Sequence, residues 1–468
     1  MIYFRMEISE APKKKSRLTL YILICLFAGI ALGFTLNKTY MGPVNLELER
    51  IDQVIKDTQV QKSLGDSVAL NAELQKLNSE RNTILAKRDK MVEPFSLLAD
   101  IFLRLIKMIV APLVFSTLVV GVAKLGDIRA VGRIGGKTLL WFLGASFMSL
   151  LLGMIMVNLF RPGEAMHLPL PSVGSTSGIV ATGFSLKNFL YHVFPASAID
   201  AMAHNEILQI VVFALFFGVA TAAVGESAKI IITFFDAVSH VILKVTGYVM
   251  NLAPLAVLGA MTAVIAKQGI GILKTYSIFI SEFYFSLLML WCLLLLAGFF
   301  VIGRRIYQLI KRVKEPTLLA FSTASSEAAF PKTMDELQRF GAKDKIVSFV
   351  LPLGYSFNLD GSMMYMTFAT LFIAQSYGMH IPLITQFWIL VTLMLTSKGI
   401  AGVPRASLVV IAGTLSTFGI PEAGLALLLG IDPLLDMGRS ATNVIGNSVA
   451  TAVVSKWEGS LGEDSKEP

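Results

Sequence analysis

The sequence predicts an all-α polytopic membrane protein. Three observations carry that expectation. Of its 468 residues 54% are hydrophobic and 15% charged, the mean hydropathy is +0.68, and apolar runs long enough to cross a hydrocarbon core of about 30 Å recur along the chain. Soluble domains carry fewer apolar and more charged residues. A net charge of +8 raises nucleic acid as a partner, but the basic residues stand in short segments between apolar runs rather than along one polar face, which argues against it. Cys25 and Cys292 both lie inside apolar runs, a poor setting for a disulfide framework or a thiolate metal site.

Residues 1–17 end in APKKKSR and read as a cytoplasmic N-terminus. The apolar stretch that follows is too long for a signal peptide's core and lacks an A-x-A cleavage site, so it is expected to stay as the first span. Spans are expected near residues 18–36, 96–124, 138–160, 183–223, 228–266 and 274–302, several long enough to require tilted or broken helices. Residues 38–93 interrupt this pattern with charges of both signs and with Leu74, Leu77, Ile84 and Leu85 at helical spacing. They read as a helical hairpin outside the cell, an insertion without a transport role. The basic groups Lys13, Lys14, Lys15 and Arg17, then Lys124, Arg129, Arg133 and Lys137, then Arg304, Arg305, Lys311, Arg312 and Lys314 mark one side as cytoplasmic. Beyond residue 303 the apolar stretches shorten and are broken by polar and Gly/Pro-rich clusters, the mark of backbone that does not simply face lipid.

Catalytic and metal motifs fail on inspection. GRIGGKT ends like a phosphate-binding loop, but its first required glycine falls on Val131. The five histidines, His167, His192, His204, His240 and His380, show no metal-ligand pairing, so no structural metal is expected. No nucleophile–base–acid spacing argues for an enzyme.

Polar chemistry gathers instead near the C-terminus. In a helix over 433–455, Asp436, Arg439, Ser440, Asn443 and Asn447 share one stripe. Burying Asp or Arg at the centre of a membrane helix costs about 2.5–3.5 kcal/mol each, so the pair marks a functional site. FNLDGSMM adds Asn358, Asp360 and Ser362, with Gly361 expected to loosen the helix, and these oxygens suit a small cation or a proton. Two interrupted segments carry small residues at their tips: Ser322, Thr323, Ser325 and Ser326 in one, Gly399, Gly402, Val403 and Pro404 in the other. They read as paired re-entrant hairpins at a midplane site, with tip amides able to bind a carboxylate.

PKTMDELQRFG with LPLGYSFNLDGSMMY, then TSKGIAGVP, then GIDPLLDMGRSATNVIGNSVATAVVSKWEG, together with RLIKMIVAPLVFSTLVVGVAKLGD, resemble the dicarboxylate/amino acid:cation symporter family, the glutamate transporters. The resemblance covers nearly everything outside 38–93. It implies eight transmembrane helices plus two re-entrant hairpins, inverted repeats, a homotrimer and an elevator mechanism in the inner membrane, with both termini cytoplasmic. It assigns 18–270 mainly to a trimerisation scaffold, except that the third span, 134–160, joins the transport domain. The transport domain is mainly 271–457, with hairpins near 305–345 and 384–420, and 458–468 form a cytoplasmic tail.

The resemblance also implies roles. Asp436 would hold a substrate amino group and Arg439 its side-chain carboxylate, with Ser440, Asn443 and Ser362 adding polar contacts and backbone near Ser325, Ser326 and Val403 closing over it. The implied function is import of L-glutamate and L-aspartate, with a C4-dicarboxylate as the alternative substrate and a channel as an alternative of another class. No cofactor is implied beyond a coupling ion, H+ and/or Na+. Gly354, Asn358 and Asn443 match one cation site, whose usual aspartate is Asn447 here. Asn358, Asp360 and Ser146 match another, where Phe142 and Ala145 stand in place of a typical Tyr and Thr and Leu359 in place of a methionine. Ser397 and Glu327 complete the cation and proton set. The lost oxygens favour a proton, carried by Asp360 or Glu327, over sodium. Met366 stands where potassium-exchanging members carry a Glu, so potassium antiport is not expected. Glu327 and Arg405, one on each tip, are expected to pair as a gate when the hairpins close.

Overall fold

The computed structural model describes residues 18–64, 68–123, 128–165, 190–191, 193–268, 276–397, 406–429 and 431–464. Among these the chain is almost wholly helical, and the only β pairing is the isolated bridge Ala342–Leu461. Among the described residues five helical stretches are long and apolar enough to cross a membrane, from Leu20–Ile55 to Ser277–Thr323, and three shorter apolar helices accompany them. In hydrocarbon every backbone group must be satisfied within its own segment, which is why such a sequence is helical.

α1 (Leu18–Leu36) runs through a π-turn at Asn37–Met41 into α2 (Gly42–Leu64), and α3 (Val68–Ala123) returns over 56 residues, so the second expected span is the lower half of a longer helix. The hairpin expected over 38–93 is present. Val44, Leu48 and Ile84 are buried between its arms, Leu74 and Leu77 stay half-buried, and Arg81 Nε meets Asp52 Oδ1 at 2.6 Å. α4 (Ile128–Phe160) carries the third span. The span expected from residue 183 becomes a long helix only at α5 (Ile207–Val224), after the short helix Ala198–Ala203, and its residues 183–189 and 192 lie outside the described residues. The span expected over 228–266 divides into α6 (Lys229–Met250) and α7 (Ala253–Gln268), broken just before Pro254, which disfavours the helical region for the residue ahead of it and leaves a carbonyl without its N–H. α8 (Ser277–Ile302) is the sixth.

Two helical hairpins follow. In the first, α9 (Ile306–Thr323) and α10 (Ser326–Arg339) are joined by Ala324, in the left-handed region at φ 49°, and Ser325, whose Oγ caps α10 by accepting from Ala328 N at 3.3 Å. The STASSE tip is where the sequence places it. In the second, α13 (Leu383–Thr396) and α14 (Ala406–Thr417) flank a tip, 398–405, that lies outside the described residues and takes Gly399, Gly402, Val403, Pro404 and Arg405 with it. Between the hairpins stand α11 (Asp344–Phe357) and α12 (Asp360–Ser376).

The last helix, α15 (Asp432–Trp457), opens with Pro433 in its first turn and closes with Lys456 in its last. Every residue from Met437 to Ser455 is buried, as expected of a helix enclosed on all sides. It contributes to two hydrophobic cores. One joins α3, α5, α7 and α9–α11 to its Met437, Val444 and Val449 face. The other joins α4, α8, α12, α13 and α14 to its Leu435 end. The polar stripe therefore sits where two packed layers meet.

Its far end is pinned to α4. Arg133 Nη2 lies 2.9 Å and Lys137 Nζ 2.6 Å from the Glu458 carboxylate, just beyond the apolar helix. The hydrogen bond from Arg133, then Lys137, holds the Glu458 carboxyl below its ordinary value. A depressed folded-state value gives stability that is present above the unfolded value, about 4.3, and is lost as pH falls through the depressed one. Glu458→Gln is therefore expected to cost about 1 kcal/mol at pH 7. The difference from wild type, measured as a melting-temperature gap, should begin to narrow below the unfolded value and close only once pH falls below the depressed one.

Candidate functional site

The break between α11 and α12 builds half of the site. Asn358 and Leu359 leave the helical region (φ −126°, ψ 64° and φ −94°, ψ 66°), so the chain turns at Asn358 and Leu359, before Gly361. Gly361 has a different task from the loosening expected of it. It lies within α12, where a Cβ would come within 2.5 Å of Arg439 O, so its bareness lets α12 close on α15. That closeness allows Gly361 N to donate to Asn443 Oδ1 at 2.9 Å and Asn443 Nδ2 to reach Ser362 Oγ at 3.4 Å. Gly354 serves the same end on α11, seven residues earlier, since a Cβ there would collide with Asn447 Oδ1.

Asp360 and Asn358 are both 0% exposed. Asn358 Nδ2 donates to Asp360 Oδ2 at 2.8 Å and stands 3.2 Å from Asn447 Oδ1. From α4, Ser149 Oγ lies 3.1 Å from Asp360 Oδ1, and Ser146 Oγ donates to Phe357 O at 3.4 Å, at the helix break. Gly354, Asn358, Asp360, Asn443, Asn447, Ser146 and Ser362 are thus brought together. Ser149, three residues beyond Ser146 on the same face of α4, was missed by sequence reasoning, although its i+3 spacing was a usable signal.

Arg439 forms the other half. Its side chain is 3% exposed, and Nη2 lies 3.1 Å from Asp432 Oδ1 and 2.9 Å from Asp436 Oδ1. The guanidinium carbon sits 4.1 Å from the centre of the Tyr365 ring, and Tyr365 OH donates to Asp432 Oδ1 at 3.3 Å. Asp432 and Tyr365 are further residues that sequence reasoning missed. Asp432 lies seven residues before Arg439, on the same stripe. One guanidinium nitrogen thus serves both carboxylates and an aromatic face fixes its plane, while among the described residues Arg439 Nε and Nη1 are buried and have no hydrogen-bond partner. Buried donors of this kind cost free energy unless something accepts from them. Nε and Nη1 point to different sides of the guanidinium, so each is a separate charge-assisted donor for a carboxylate oxygen. Asp436, 41% exposed, is already paired with Arg439 rather than standing open for an amine. Ser440 is buried beside Arg439.

Other expected residues are not joined to this cluster by a described contact. Ser325 caps its own hairpin arm, Ser326 and Glu327 occupy the half-buried first turn of α10, and Ser397 Oγ donates back to Met394 O at 3.2 Å. Val403 and Arg405 fall outside the described residues, and with them the expected pairing of Arg405 with Glu327.

Residues 18–457 match the model of a family described as the sodium:dicarboxylate symporter family. The chain is 40% identical over 373 residues to a proton/sodium-glutamate symport protein of Geobacillus stearothermophilus, covering 78% of this chain and 88% of that protein. It is 39% identical over 373 residues to a C4-dicarboxylate transport protein of Laribacter hongkongensis, covering 78% and 84%, and 38% identical over 375 residues to one from Bacillus subtilis, covering 78% and 88%.

Proposed function

Since the chain belongs to the sodium:dicarboxylate symporter family, a family of transporters and not of enzymes, we propose that it imports L-glutamate and L-aspartate together with sodium ions and/or protons. The observation that carries this reading is the buried Arg439 with two unpartnered donors. A carboxylate of the substrate accepts from one of these donors, Nε or Nη1, while Asp436 exchanges part of its bond to Arg439 for the substrate's amino group. Asn443, Ser362 and Ser440 line the same face, and the hairpin backbones around Ser325, Ser326 and Val403 close over it.

Charge explains the need for cations. Asp432 and Asp436 face one guanidinium, and Asp360 lies next to Gly361, whose amide is bound to the same helix. An anionic substrate adds to that negative charge, and an uncompensated charge in the interior is expensive. The substrate therefore settles only when cations enter with it. Asp360, with Asn358, Asn447 and Gly354 around it, is the coupling-ion site in this account, and Ser397 and Glu327 guard it from the hairpins. The wider architecture follows the family: eight spans and two re-entrant hairpins, a trimer of scaffolds formed mainly by 18–270, and a transport domain of 134–160 and 271–457. The domain moves as an elevator in the inner membrane, with both termini cytoplasmic. Glu327 and Arg405 pair when the tips close.

A C4-dicarboxylate is the second reading, and Asp436 favours it, since a carboxylate already paired with Arg439 is not stranded by a substrate without an amine. Against it, such a substrate brings one more negative charge to a site already rich in carboxylates. Competition for labelled aspartate uptake in proteoliposomes separates the two. Unlabelled glutamate or aspartate is expected to compete at least tenfold better than succinate, about 1.4 kcal/mol, and the reverse order would replace the amino-acid reading.

A further inference from the structure

Ser149 is completely buried, and its Oγ stands between two acceptors, Ala145 O at 2.8 Å and Asp360 Oδ1 at 3.1 Å. A hydroxyl has one hydrogen, so it cannot donate to both at once. When the hydrogen turns to Ala145 O, the bond a serine in a helix readily makes, two oxygens rich in lone pairs face each other at 3.1 Å. That arrangement is repulsive unless positive charge lies between them. Asp360 cannot simply turn away, because Asn358 Nδ2 holds its second oxygen at 2.8 Å and a Cβ on Gly446 would overlap that same oxygen. The third donor is also at hand: Asn358 Oδ1 is buried and, among the described residues, has no hydrogen-bond partner. Carboxylate, hydroxyl and carboxamide oxygens are the ligand set of a hard cation.

We propose that Ser149 Oγ and Asp360 Oδ1 together ligate a coupling sodium ion, Ser149 supplying from α4 the hydroxyl oxygen that Phe142 and Ala145 do not. The expectation of a proton counted Ser146 as the only remaining oxygen donor of this helix, and Ser149 restores the count. This rests on reading Asp360 as the coupling-ion site, and the experiment separates the two.

Purified wild type, Ser149→Ala, Ser149→Thr and Asp360→Asn are compared in two ways: by the sodium concentration that half-saturates the sodium-induced rise in melting temperature without substrate, and by the sodium dependence of aspartate binding in calorimetry at two pH values. Ser149→Ala is expected to raise the half-saturating sodium concentration about tenfold or more, a shift read against the variant's own sodium-free melting temperature, which falls with the lost hydroxyl contact. Ser149→Thr, which keeps the hydroxyl, is expected to stay within a few-fold of wild type. An unshifted sodium dependence in Ser149→Ala, alongside a loss of it in Asp360→Asn, overturns the role of Ser149 alone. Wild-type sodium dependence in Asp360→Asn overturns the underlying reading as well, and a wild type without any sodium response overturns sodium as the ligand.

Discussion

Replacing Arg439 by lysine is expected to lower aspartate affinity by about thirtyfold or more while leaving the fold intact. Lysine keeps the positive charge that Asp432 and Asp436 require, but it has no second and third nitrogen to take the places of Nε and Nη1, the two donors without partners. Losing one side of a buried, hydrogen-bonded charge pair costs about 2–5 kcal/mol, and an ammonium cannot hold donors in the fixed directions of a planar guanidinium. The ammonium also loses the planar stacking on Tyr365. Alanine is the less informative change, because it strands two carboxylates in the interior, at about 3–5 kcal/mol of stability. Calorimetry of aspartate binding to wild type and Arg439→Lys, with melting temperature as the control, checks this. Equal affinities would show that the two free donors do not meet the substrate.

Asp360→Asn is expected to have the second large effect. The substitution keeps the size of the side chain and a carbonyl oxygen near Ser149 and Asn358, but it removes the charge proposed to hold the coupling cation. Concentrative uptake is expected to fall about a hundredfold, on the scale of losing one partner of a buried charge pair. Exchange of labelled for unlabelled aspartate at equal concentrations, which draws no energy from a cation gradient, is expected to fall far less. A variant that loses both equally has lost its substrate site, and one that keeps both has an ion site elsewhere.

How much of this could be read from the chain depends on the range of each contact. The stripe Asp436, Arg439, Ser440, Asn443 and Asn447 was legible because helical periodicity is a local property, and α15 places it on one face as expected. The tip at Ser325 and the hairpin over 38–93 were legible for the same reason. Asp432 sits on the same stripe, two turns earlier, but Pro433 beside it marks a helix start, where an acidic residue has a simpler explanation. Ser149 and Tyr365 gain their meaning from partners far away: Ser149 is 211 residues from Asp360 and Tyr365 is 67 from Asp432. No spacing rule joins such pairs in a single sequence. Gly361 shows a subtler limit. A glycine beside a polar cluster reads as a kink, yet here it is the absence of a side chain facing Arg439 O that matters, and the kink falls on Asn358 and Leu359, whose side chains carry no such signal. The break before Pro254 falls in a span expected to be tilted or broken, and Pro254 itself marks its position.

On the proposed function, the carboxylates gathered around Arg439 and at Asp360 make substrate entry depend on cations. The most direct measurement is labelled aspartate uptake into proteoliposomes under an inward sodium gradient and an inward proton gradient, each imposed alone, for wild type and Asp360→Asn. The account predicts that wild type concentrates aspartate above the external level under at least one of the two gradients and that Asp360→Asn does not. Wild-type uptake that stops at equal concentrations under both gradients would contradict it.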